Sequence, residues 1–114
     1  MEAYLDGNSN SVNVRQERQQ TGSASSLLTD VIGSNNSIDV SQISNELSLP
    51  SRITITQRGD ELDVTARQDN TSSGNLEVFQ SGLLGVATVQ QSGIYNEAKL
   101  VQNGMANSAS ITQQ

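Results

Sequence analysis

Between Ala98 and Gln113 the chain alternates apolar and polar positions in two short runs. Ala98, Leu100, Gln102 and Gly104 form one row and Asn107, Ala109, Ile111 and Gln113 the next, while Lys99, Val101, Ser108, Ser110 and Thr112 fall between them. A period of two places each row on one face of an extended strand. The pattern therefore predicts a unit of strand, turn and strand. Its rows carry amides that can donate and accept along a stack, and the Gly after the first row frees the backbone to turn.

The same template fits the rest of the chain. First strands are predicted to begin at Met1, Leu27, Ile53, Leu76 and Ala98, and second strands at Val12, Ile38, Val64, Ala87 and Ala109. The step from first to second strand is eleven residues each time, with Gly7, Gly33, Gly59, Gly82 and Gly104 in the turns, whereas the step onward is 15, 15, 12 and 11. One turn is fixed and the other accepts insertions, as expected if each repeat is one coil with a tight corner on one edge and a variable loop on the other. The predicted fold is all-β, a single repeat domain spanning 1–114 with repeats 1–26, 27–52, 53–75, 76–97 and 98–114. Stacked, these make a β-solenoid of two parallel sheets, cross-β and amyloid-like. The long connections, Glu17 to Ser26 and Ile43 to Arg52, are polar arcs; the second holds Pro50 outside any predicted strand, where a missing N–H costs no ladder bond.

Stacking turns positions into columns. One sheet is predicted to carry Met1, Leu27, Ile53, Leu76 and Ala98 beside Ala3, Thr29, Ile55, Val78 and Leu100. The other carries Val12, Ile38, Val64, Ala87 and Ala109 beside Val14, Val40, Ala66, Val89 and Ile111. Next to these, Gln16, Gln42, Gln68, Gln91 and Gln113 form an unbroken column, expected to be buried and hydrogen-bonded at the ~4.8 Å spacing of strands. The matching column of the first sheet is Leu5, Val31, Gln57, Gln80 and Gln102, incomplete in its first two coils. Asn10, Asn36, Asn96 and Asn107 are the expected turn amides, with Leu62 where Asn would stand.

Composition explains why periodicity must carry the fold. Only 33% of residues are hydrophobic and 3% aromatic, without Trp, so a thick globular core is out of reach and close stacking of small side chains is the alternative. The net charge is −6 and the basic residues Arg15, Arg18, Arg52, Arg58, Arg67 and Lys99 are scattered, so nucleic acid is not an expected partner. Without Cys there are no disulfides or thiolate metal sites, and no segment reaches the ~20 apolar residues of a membrane span. Met1 to Asp6 has no basic start or apolar run, which reads as a mature form without signal peptide.

Catalysis finds no support in the residues. With no His and no Cys the nucleophile–base systems are absent, so neither an enzyme nor a cofactor is expected. Asp60, Glu61 and Asp63 are the densest carboxylates; they read as charge at a corner that resists strand addition, with a surface Ca²⁺ site as the alternative. Arg58-Gly59-Asp60 matches the integrin-binding tripeptide, but the repeat already demands Gly59. The outward Thr54 and Thr56 are not continued in neighbouring coils, which argues against an ice-binding array. The outer face of the first strands carries Tyr4, Leu28, Ile32, Phe79 and Val101 and is the predicted contact face.

The five tandem copies of apolar-x-apolar-x-Gln-x-Gly-x-x-Asn-x-Ala-x-apolar-x-Gln resemble the repeats of curlin, the subunit of bacterial curli fibres. Ser37-Ile38-Asp39-Val40-Ser41-Gln42, Ile53-Thr54-Ile55-Thr56-Gln57-Arg58-Gly59 and Gln102-Asn103-Gly104-Met105-Ala106-Asn107-Ser108-Ala109 carry the likeness. It implies an extracellular functional amyloid of the biofilm matrix, active in adhesion and cell aggregation and polymerising with itself. It also implies a nucleator subunit and an outer-membrane secretion pore as partners. Two loops about four residues longer than the shortest, and Leu5 and Val31 in place of Gln, depart from that pattern. The competing readings are a monomeric β-solenoid adhesin or carbohydrate-binding module and, within the resemblance, the nucleating minor subunit.

Overall fold

The computed structural model describes residues 1–18, 25–44, 51–72 and 74–114. Among the described residues ten strands alternate between two sheets. The first sheet holds β1 (Glu2–Asp6), β3 (Ser26–Ile32), β5 (Arg52–Asp60), β7 (Asn75–Leu83) and β9 (Glu97–Met105) in that order. The second holds β2 (Ser11–Arg18), β4 (Ser37–Ser44), β6 (Asp63–Ser72), β8 (Val86–Ile94) and β10 (Ser108–Gln113), stacked in the same sequence. All eight pairings are parallel, so each coil contributes one strand per sheet. Parallel neighbours need a long crossover, and here the opposite strand of the coil supplies it.

The register keeps every predicted column in line. Leu27 pairs with Ile53, Ile53 with Leu76 and Leu76 with Ala98; Ile38 pairs with Val64, Val64 with Ala87 and Ala87 with Ala109. Among the described residues the one shift occurs late in the β6–β8 pair, between Asp69 and Ser72. A one-residue slip elsewhere would turn the apolar row outward, so alternation pins the register. Fourteen side chains from both sheets, from Leu27 to Leu100, close one core between the sheets, with Val12, Val14, Ala109 and Ile111 packed half-buried against it. The molecule measures 40 × 23 × 13 Å, the short dimension being two sheets back to back and the middle one the stack of five strands.

Two expectations are corrected. Met1, Ala3 and Leu5 were expected in the inward columns, yet all of β1 is exposed, with Met1 at 74% and Leu5 at 48%. Val12 and Val14 are only half-buried and Gln16 is exposed, so the Gln column is not buried along its whole length. The reason is positional: coil 1 has a neighbour on one side only. Most of each polar arc, including Pro50, lies outside the described residues.

Candidate functional site

The chemistry of this fold lies in its stacked amides. Gln16 Nε2 donates to Gln42 Oε1 at 2.8 Å, and Gln42 to Gln68, Gln68 to Gln91 and Gln91 to Gln113 at 2.9 Å each. In the first sheet Gln57 donates to Gln80 at 3.1 Å and Gln80 to Gln102 at 2.7 Å. Every rung runs from the N-terminal coil to the next. Gln42, Gln57, Gln68, Gln80, Gln91 and Gln102 are buried, which is tolerable because each rung satisfies a donor and an acceptor together. Two buried polar atoms lack a partner among the described residues, Gln57 Oε1 and Thr29 Oγ1. Gln57 Oε1 faces the coil that carries Val31 in place of Gln, so the sequence departure leaves a measurable gap in the ladder.

The glycine corner is a second ladder. Gly7, Gly33, Gly59, Gly82 and Gly104 all have φ between 111° and 138°. A Cβ on any of the first four would lie 1.8–1.9 Å from the carbonyl oxygen of the glycine one coil on, whereas at Gly104 it would meet only Asn107 Nδ2 at 3.4 Å. Glycine is thus required twice, by backbone conformation and by close approach. Two residues later the chain takes left-handed φ at Ser9, Asn35, Glu61, Leu84 and Ala106.

Asparagine tethers the corners across coils. Asn10 Nδ2 donates to Gly33 O and Asn36 Nδ2 to Gly59 O, both at 2.8 Å. In return Asn36 N–H donates to Asn10 Oδ1 and Leu62 N–H to Asn36 Oδ1, both at 3.0 Å. Coil 3 places Leu62 in this column, buried, and coil 4 answers with Gly85, where a Cβ would stand 3.1 Å from Leu62 Cδ2. A side chain at Gly85 would press on Leu62.

Asn107 sits in the same column and donates to Asn103 O at 2.7 Å. Asn96 does not. It lies at the opposite corner, where Gln91-Ser92-Gly93-Ile94-Tyr95-Asn96 repeats the spacing of Gln102-Asn103-Gly104-Met105-Ala106-Asn107 and Asn96 Nδ2 donates to Ser92 O. Gly93 and Tyr95 take φ of 101° and 57°, in the same left-handed region as their counterparts at the other corner. Sequence reasoning missed Gly93, although the repeated hexapeptide was the signal for it.

The remaining candidates fall apart chemically. Among the described residues no three acidic groups gather in a way that could hold a metal, so Asp60, Glu61 and Asp63 do not form a centre. Asp60 Oδ1 accepts from Ser34 N–H at 2.6 Å, which ties the carboxylate of the Arg58-Gly59-Asp60 tripeptide to the corner of the preceding coil. On the outer face of the first sheet Tyr4, Leu28, Ile32 and Val101 are exposed and Phe79 is half-buried. No helix among the described residues is long and apolar enough to cross a membrane. A scan of protein-family models and a search of curated proteins find no match to this chain.

Proposed function

We propose that this protein is the structural subunit of an extracellular, curli-like amyloid fibre that assembles head to tail and serves adhesion and the cohesion of a biofilm matrix. The observation that supports this reading most directly is that the Gln ladder of the second sheet keeps one polarity through all five coils, so coils 1 and 5 carry its complementary halves in Gln16 and Gln113. An exposed strand edge is a template for another strand, and in-register stacking would continue both sheets, with the amide row continuous in the second. The resemblance of the repeats to curlin agrees with this, and brings a nucleating subunit and a secretion pore into the proposal as partners. Each added chain would lengthen the fibre by roughly 24 Å, five strands at the spacing of parallel sheets.

Incubation of concentrated purified protein, followed by electron microscopy and fibre diffraction, tests the reading. Fibres with a strand repeat of about 4.8 Å along the long axis are the expected outcome. A chain that stays monomeric by light scattering over days would overturn it.

A further inference from the structure

The geometry points to coil 5 as a one-directional docking face that accepts coil 1 of another copy of this chain, with Gly104 and Asn107 as its gate. This rests on the fibre reading and adds which residues decide whether a fibre end can grow. Four internal interfaces display the contacts. Across each of them the forward coil presents a glycine carbonyl to the bare Cα of the glycine behind it, and of the five glycines at this corner Gly104 alone has its forward side open. Coil 1 of a second copy, set in the same register, would put the carbonyl of Gly7 there.

Most other contacts carry over column by column, the exception being Gln102, which would face Leu5 rather than a Gln. Asn107 occupies the place from which Asn10 and Asn36 reach the next glycine carbonyl and accept the next backbone N–H. In the docked pair its targets are Gly7 O and Asn10 N–H of the second copy. Ser108 N–H has the place from which Val86, Asp63, Ser37 and Ser11 donate forward, and its acceptor would be Asn10 O. Gln113 Nε2, now turned to Glu97 O at 3.0 Å, would find the Oε1 of Gln16.

Size and charge match as well. Small Ala98 meets Met1 and large Leu100 meets Ala3, and the outward Lys99, the chain's one lysine, meets Glu2 as it already meets Glu77 at 3.1 Å within the chain. The same face would not take a second coil 5, whose amides would point their donors at its donors.

The two faces can therefore be separated by mutation. In Gly104→Ala the added methyl group is roomy within its own chain but strikes Gly7 O of an incoming copy at the distance seen inside the stack. Its coil 1 is untouched. It should add to the coil 5 end of a wild-type fibre and then stop growth there. Because Ala at a φ of 117° is strained, Asn107→Leu provides an independent variant. Leu stands in this column at Leu62, where the next coil offers Gly85 without a side chain, whereas coil 1 offers Asn10.

The experiment adds each full-length variant, checked for wild-type circular dichroism, to polymerising wild-type protein at substoichiometric ratio. Dye fluorescence and electron microscopy then follow fibre mass and length. A several-fold fall in mean fibre length, with each variant alone remaining unpolymerised, is expected. Folded variants that co-assemble without shortening the fibres overturn the inference while leaving the fibre reading intact. Wild-type protein that forms no fibres removes the fibre reading and the inference with it.

Discussion

The two amide columns obey one geometry, yet one spans all five coils and the other begins only at Gln57. In the second sheet each Gln from Gln42 to Gln91 has a rung behind it and a rung ahead. In the first, Gln57 has a rung ahead but an unpartnered Oε1 behind, where Val31 stands. The difference teaches that a buried amide in a stack is stabilised or penalised by the residue one coil away, far removed in sequence. Because every Nε2 points forward, a missing Gln strands the acceptor of the following coil.

The largest effect should come from breaking the complete column in its middle. Gln68→Leu removes two rungs and strands Gln42 Nε2 and Gln91 Oε1 inside the core. The expected loss is about 2–4 kcal/mol, from two unsatisfied buried groups at 1–3 kcal/mol each less the apolar gain. Urea unfolding of dilute, unpolymerised protein measures it; a loss below about 1 kcal/mol would mean that the ladder contributes little.

A smaller effect of opposite sign should follow from completing the broken column. Val31→Gln supplies an Nε2 to Gln57 Oε1, while its own oxygen faces the half-exposed Leu5 and can reach water. A gain of about 1 kcal/mol is expected, read as a shift in the urea midpoint with unchanged slope. Destabilisation would show that the site, filled by Val31 at 1% exposure, has no room for the longer side chain.

The smallest effect is expected at the end of the complete column. Gln113 is half-buried, and on its loss Gln91 Nε2 keeps Asn75 O at 3.4 Å. Gln113→Leu should change stability by no more than about 0.5 kcal/mol, because the end of the column is open to water and the lost amide strands no buried group. It should nevertheless slow fibre growth measured by dye fluorescence. Equal slowing by a mutation on the outer face of the same strand, such as Ser110→Ala, would mean that the amide is not the cause.

Much of this was legible in the residues because a solenoid repeats its own solution. The eleven-residue step and the Gln-x-Gly-x-x-Asn spacing located the strands, the columns and the tight corner, including the consequence that Leu5 and Val31 interrupt a ladder. Asn96 shares the local spacing of Asn10, Asn36 and Asn107. Its placement at the opposite corner follows from which strand precedes it, β8 in the second sheet rather than a strand of the first.

The sequence by itself determined the periodicity, hence the coil, the register and the identity of each column, because alternation leaves one pairing in which every apolar residue faces inward. Only the tertiary structure decided which members of a column are buried and which amides are satisfied. Leu5 and Leu27 look equally inward on paper, but one is half-exposed and the other 2% exposed, since burial here comes from the coil on either side. The same holds at the corners: Gly82 and Gly104 have the same type of residue and nearly the same φ, and only the neighbouring coil makes a Cβ impossible at the first and tolerable in space at the second.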